Sequence, residues 1–288
     1  MQPQPPILYS VLSNLNSHPR DKNIRFYEKS HKYVILNEPN TPYISVTTWV
    51  HTHFPHFNTD EIITNMMKGK NWKEGHKYWG MTPEDIKTLW NTKKEAVSGA
   101  GTNIHFQIEC FMNNPSITEL NEYTNAELYN IYQNKNGTLN CHSIEWDYFL
   151  QFIRDFPDLR PYRTEWVIYN EDVKISGSID MVYKNTDGTY SIYDWKRVEN
   201  ITTVNYFNRY AITPTICHLH DSNYWHYSLQ LNTYKKILED KYNMIIRDLY
   251  LVRIHPDAEE KTYELIKLPD LRKEMSELFT ERKNIINK

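Results

Sequence analysis

Three side chains near the middle of the sequence have the types and spacing that hydrolytic chemistry needs. They are Asp180, closing Gly177-Ser178-Ile179-Asp180, and the first and last residues of Asp194-Trp195-Lys196. Between them Asp187-Gly188 is flanked by alternating apolar runs, with Ile175, Ile179, Met181 and Tyr183 before it and Tyr190, Ile192 and Trp195 after it. An Asp-Gly pair between two such runs predicts a β-hairpin, and the hairpin returns Asp194 to the side of Asp180. Two adjacent carboxylates repel unless a cation holds them, and a hard divalent metal is the usual solution. Lys196 lies two residues beyond Asp194, so strand periodicity puts both on one face. This layout suits metal-assisted hydrolysis of a phosphodiester. Asp-x-Lys by itself says little, since Asp85-Ile86-Lys87 and Asp172-Val173-Lys174 also occur here; the predicted strand pair gives this copy its meaning.

The elements that must position these residues can be read along the chain. Ile24–Leu36 reads as a short hairpin, followed by Ser45-Val-Thr-Thr-Trp-Val50 and a histidine-rich stretch, His51-Thr-His-Phe-Pro-His-Phe57. Helices are predicted over 60–68 and from Pro83 to about Val97, the latter with Thr82 as N-cap and Pro83 at its first position. Gly99-Ala100-Gly101 is expected to break that helix, with another starting at Thr102. A further amphipathic helix covers 143–156. Three strands follow over 164–169, 174–183 and 190–198, then a helix (224–239), a strand (245–254) and a terminal helix (271–286). Helices, a β-meander and helix–strand–helix imply an α/β fold with a mixed central β-sheet flanked by helices. The expected organisation is a loose leader (1–22), a mostly helical N-terminal lobe (23–98) and a core (99–288).

Other positions join the acidic pair. His105 and Glu109 lie four apart on the helix after the glycines and share a face, as do Gln230 and Tyr234 on the helix after the meander. Taken in order, Gly101-x-x-x-His105, Gly177-x-x-Asp180, Asp194-x-Lys196 and Gln230-x-x-x-Tyr234 resemble the RecB-like branch of the PD-(D/E)xK nuclease superfamily. The nearest likeness is to the mitochondrial genome maintenance exonucleases and to related exonucleases of phages and large DNA viruses. The resemblance covers roughly residues 99–255. It implies a restriction-endonuclease-like core, with Asp180 and Asp194 as metal ligands completed by the Trp195 carbonyl and His105. It also implies that Lys196 positions or activates water, and that Gln230 and Tyr234 buttress the site or touch DNA. Mg²⁺ or Mn²⁺ is the implied cofactor and DNA, chiefly single-stranded, the implied substrate. An endonuclease of the same fold acting on DNA or RNA, and an inactive nucleic-acid-binding module, are the competing readings. Lys196, close to a metal, is expected to have a depressed pKa. Glu109 and Glu165 are spare carboxylates for a second ion.

Composition sets limits on this picture. The net charge of −3 gives no overall basic footprint, so nucleic acid would be gripped by a local groove. Trp72, Lys73, His76, Lys77, Tyr78 and Trp79 interleave cations with rings in the manner of a single-strand surface, and Arg197, Arg209, Lys235 and Lys236 are candidate phosphate contacts. Three scattered cysteines (Cys110, Cys141, Cys217) supply neither a disulfide framework nor a four-cysteine iron–sulfur site. No P-loop for ATP is present. No apolar run approaches the roughly 20 residues that span a bilayer, and the N-terminus lacks a signal pattern, so a soluble intracellular protein is expected. Frequent Asn, Lys, Ile and Tyr match an AT-rich genome, viral genomes included.

Overall fold

A computed structural model describes residues 10–114, 122–134 and 143–287. The first nine residues and Cys141 lie outside the described residues. Of the expected leader, residues 10–22 are folded. Helix α1 (Val11–Leu15) buries Val11 and Leu12, and the Leu12 N–H donates to Asn113 Oδ1 at 3.0 Å. Asp21 accepts from Arg163 Nη1 at 2.7 Å and from Trp166 Nε1 at 2.9 Å. These contacts pin the segment to the core. Strands β1 (Ile24–Tyr27) and β2 (Lys32–Ile35) form the expected hairpin.

Strand β3 (Ile44–Ser45) leads directly into α2 (Val46–His51), capped by the Ser45 hydroxyl. Then come α3 (Thr59–Lys68) and α4 (Pro83–Met112). Thr82 and Asp85 make a reciprocal capping box at the start of α4. The helix then runs unbroken for 30 residues through Gly99 and Gly101, about 45 Å at the usual rise. The expected break is absent because a helical glycine costs only about 1 kcal/mol relative to alanine. Burial of Ile104, Ile108, Phe111 and Met112 anchors the far end. A lobe boundary at 98/99 therefore falls inside one helix. Between Ile86 and Ile104 no residue of α4 is buried, so its middle projects from the body of the protein.

Helices α5 (Asn125–Asn134) and α6 (Ile144–Asp155) precede β4 (Arg160–Asn170), β5 (Ile175–Lys184) and β6 (Tyr190–Lys196). Next are α7 (Asn223–Lys241), β7 (Ile246–Arg253), β8 (Glu264–Lys267) and α8 (Arg272–Ile286). The sheet runs β3-β5-β6-β7-β8, with β4 pairing β5. Pairings β3/β5 and β6/β7 are parallel and the others antiparallel. The mixed sheet flanked by helices is the fold class read from the sequence. One core lies between the sheet and α2, α7 and α8, built from Val46, Trp49, Ile237 and Phe279 among others. The second lies on the opposite face against the end of α4 and α6, with Ile108, Trp146, Phe149 and Phe152. Residues 44–54 are thus part of the core layers rather than of a separate lobe.

Candidate active site

Strand β5 is bordered unevenly, and the acidic residues sit at the irregularity. Strand β4 pairs along one edge from Asn170↔Ile175 to Arg160↔Lys184. On the other edge β3 takes Ile175 and Ser176, and β6 takes Met181 to Lys184. Among the described residues, Gly177 to Asp180 have no strand partner there. The β5–β6 ladder ends at Met181↔Tyr193, one residue short of the two aspartates, and the strands part. The Trp195 N–H donates to Asp180 Oδ2 at 3.1 Å, so the side chain takes the place of a ladder carbonyl. The facing of β5 also changes here. Ile175 and Ile179 belong to one core and Met181 and Tyr183 to the other, although all four are odd-numbered and a regular strand would put them on one face. Opposite, Glu165 of β4 has φ 42°, left-handed backbone that a non-glycine residue adopts at a cost of about 1–3 kcal/mol.

Around Asp180 the donors converge. His105 Nδ1 lies 3.5 Å from Asp180 Oδ2 and 3.6 Å from Glu165 Oε1, while His105 Nε2 is 3.0 Å from the Trp195 carbonyl. The Ser178 hydroxyl donates to Glu165 Oε2 at 3.2 Å and steadies that carboxylate. One ligand atom each from His105, Glu165 and Asp180 falls within a 4.8 Å set, which can hold a metal ion. Glu165, expected only as a spare acid, is inside the cluster. Asp194 is 1% exposed. Its carboxylate accepts no aligned hydrogen bond and is matched by Lys196, whose Nζ is 2.5 Å from Oδ2.

Charge explains the perturbed acidities. Burial raises the pKa of Asp180, helped by Glu165 and opposed by His105. Burial and Asp180 together raise that of Asp194. Burial would lower the pKa of His105, but Asp180 and Glu165 overcome it and lift the imidazole to about 9. The carboxylates around His105 thus favour positive charge in the cluster, which a metal ion would supply in place of the imidazole proton. Glu109, one turn beyond His105, is pushed up to about 7 by burial and then by Glu165 and Glu28. Lys196 departs from expectation. Burial would lower its pKa, yet Asp194, Asp180 and Tyr227 hold it above the ordinary lysine value. The fit to a divalent ion is good. Carboxylate oxygens with one imidazole suit a hard divalent ion, and the set comprises His105, Glu165 and Asp180, with Asp194 held beside it by Lys196.

The remaining sequence candidates are placed as follows. Gln230 Nε2 donates to the Tyr234 hydroxyl at 3.1 Å. Tyr234 is 3% exposed and packs against Gly177, where a Cβ would come within 2.8 Å of its ring. Tyr234 is therefore a buttress under the Gly177–Asp180 segment, and Gln230 lines the cleft above it. Arg197 Nε is 2.7 Å from Glu145 Oε1 of α6 and largely buried. Lys235 and Lys236 are not available for phosphate in the expected way, being paired with Asp270 and Asp240 at 2.9 Å each. Trp72 and Trp79 pack on one another at 5.9 Å between α3 and α4. Sequence reasoning missed Tyr227, whose ring centroid lies 4.6 Å from Lys196 Nζ. Its signal was available: it stands three residues before Gln230 and hence on the same face of α7.

No family model matches the chain, and no curated protein matches it. Among solved structures, it is similar to the crystal structure of a "Putative exonuclease" from Eubacterium rectale. The TM-score is 0.31 and the identity 12%, over 99% of this chain and 87% of the other. A likeness that loose assigns neither family nor activity.

Proposed function

We propose that the protein is a divalent-metal-dependent nuclease that hydrolyses DNA phosphodiester bonds, acting on single-stranded ends or flaps. The observation that carries this reading is the convergence of His105, Glu165 and Asp180, beside the buried Asp194–Lys196 pair, where β5 and β6 part. Hydrolysis forms a bond from water oxygen to phosphorus, the water releasing a proton to solvent, and breaks the bond to the departing 3′ oxygen, which leaves with a proton from solvent. Negative charge grows on the phosphoryl oxygens meanwhile. A metal bound by Asp180, Asp194, Glu165 and His105 would supply positive field and a more acidic water. Lys196 presents an ammonium fixed by Asp194 and backed by Tyr227. Held charged at neutral pH, it orients the incoming water by hydrogen bonding and balances the developing phosphoryl charge. The Trp195 N–H keeps Asp180 oriented, and Tyr234 fixes the backbone beneath it.

Purified protein with Mg²⁺ or Mn²⁺ is expected to degrade labelled linear single-stranded DNA. Asp180→Asn and Lys196→Ala should each lower the rate by at least about a hundredfold while circular dichroism stays native. Circular single strands should survive if ends are required, and 5′- or 3′-blocked oligonucleotides give the polarity. A wild type that binds these strands yet never cuts them with either metal would leave a binding module instead.

A further inference from the structure

Between Lys196, the last residue of β6, and Asn223, the first of α7, the chain makes a long excursion whose only helix is a 3₁₀ turn at Pro214–Ile216. The excursion is tied down throughout. The Thr202 N–H donates to Asn223 Oδ1 (2.8 Å) and Trp225 Nε1 to the Thr203 carbonyl (3.0 Å). Asn205 Nδ2 donates to the Asp221 carbonyl (2.7 Å), and the Asp221 N–H to that of Arg209 (2.9 Å). At the tip, Asn205 Oδ1 accepts from the Phe207 N–H (2.8 Å), its carbonyl accepts from the Asn208 N–H (3.0 Å), and Asn208 has φ 51°.

This fastened turn holds Tyr206 and Phe207 in water, 89% and 83% exposed, the most exposed large apolar side chains among the described residues. Ordering a loop to display two rings that bury nothing within the chain costs conformational entropy without apolar return. The neighbouring Tyr210 ring stacks on His220 at 4.4 Å. Arg209 is exposed and forms no ion pair among the described residues. The loop is also continuous with the candidate site. Asn223, which holds Thr202, lines with His226, Tyr227 and Gln230 the cleft between α2 and α7, and Tyr227 lies against Lys196.

We infer that Tyr206 and Phe207 form a stacking platform for unpaired bases of a nucleic-acid strand, with Arg209 on its backbone phosphates. Their placement along the strand's path rests on the nuclease reading. Bases offer flat faces of any sequence to such rings, and a cleft leading to a phosphodiester site gives the strand its track.

The test is binding of fluorescein-labelled oligo-dT, and of an abasic oligomer of the same length, to the full chain in EDTA. The Tyr206→Ala/Phe207→Ala double variant should weaken oligo-dT binding by roughly tenfold or more, whereas Tyr206→Phe retains it. The abasic oligomer should bind both proteins alike, and 2-aminopurine in the strand should be quenched by the wild type only. Equal oligo-dT affinity in wild type and double variant overturns the inference. So does equal loss of both oligomers, or a wild type that ignores oligo-dT. Hydrolysis is scored separately. A cleaving wild type with ring-independent binding removes the platform alone, and ring-dependent binding without cleavage under Mg²⁺ or Mn²⁺ removes the nuclease alone.

Discussion

Asp180 and Asp194 occupy equivalent places at the parting of two strands, yet their neighbours give them opposite sensitivities to mutation. Asp180 faces both Glu165 and His105, and burial, helped by Glu165, raises its pKa against the pull of His105. Removing its charge relieves repulsion, so Asp180→Asn should stabilise the metal-free protein by about 1 kcal/mol in denaturant titrations while abolishing turnover. Asp194 instead neutralises Lys196 in the interior. Asp194→Ala strands a buried ammonium, and such losses cost about 3–5 kcal/mol; the same titration should show destabilisation of that order. A matching pair of results, with both variants stabilised or both destabilised, would contradict this division of labour.

At the scale of elements, the site depends on β5 being released from β6 at the right residue and supported from beneath by α7. Gly177 makes that support close. A Cβ there would meet Tyr234 Cε1 at 2.8 Å and Val46 Cγ2 at 3.0 Å, and both side chains are buried. Gly177→Ala must push α7 or α2 away from the strand, a cost of about 1–3 kcal/mol by analogy with overpacked cores. Its signature is a lowered thermal midpoint together with weaker divalent-ion binding, because the displaced strand carries Asp180. By contrast the hairpin turn is conventional. Gly188 has φ 82° and donates to the Asn185 carbonyl at 3.1 Å, so it serves the turn and touches no part of the site.

For the molecule as a whole, two linkages can be measured. Divalent ions that bind only the folded cluster must raise the midpoint of unfolding. Millimolar Mn²⁺ should therefore raise the Tm of the wild type and leave that of Asp180→Asn nearly unchanged. A second linkage lies away from the acids, at the join between the end of α2 and the excursion before α7. His53 Nδ1 pairs with Thr213 Oγ1 at 2.8 Å and its Nε2 is buried without a partner. Burial pushes its pKa down to about 4 from 6.5. The unfolded chain thus binds the proton more readily, so the stability contributed by neutral His53 is complete above about pH 6.5 and is lost as pH falls towards 4. The loss reaches at most about 3 kcal/mol. His53→Gln, which keeps a polar partner for Thr213 without titrating, should flatten the pH dependence of the urea midpoint across that window.

The local rules of the chain fixed the sheet strands and helices closest to the chemistry. Alternation with Asp187-Gly188 located the hairpin, and 3.6-residue spacing put His105 with Glu109 and Gln230 with Tyr234 on common faces. Thr82-Pro83 marked the start of α4. Hydrogen bonding and apolar periodicity act within a few residues, so such features are written locally. Tertiary structure alone decided the rest. Glu165 joined the cluster because a left-handed backbone in β4 lies opposite the change of face in β5, and neither distortion has a sequence period. Lys196 became a high-pKa ammonium because burial delivered it to Asp194, while Lys235 and Lys236 were claimed by Asp270 and Asp240. The continuity of α4 through two glycines and the anchoring of residues 10–22 followed from distant packing partners. Long-range Coulomb fields and core contacts depend on which surfaces meet, and that is settled only when the whole chain has folded.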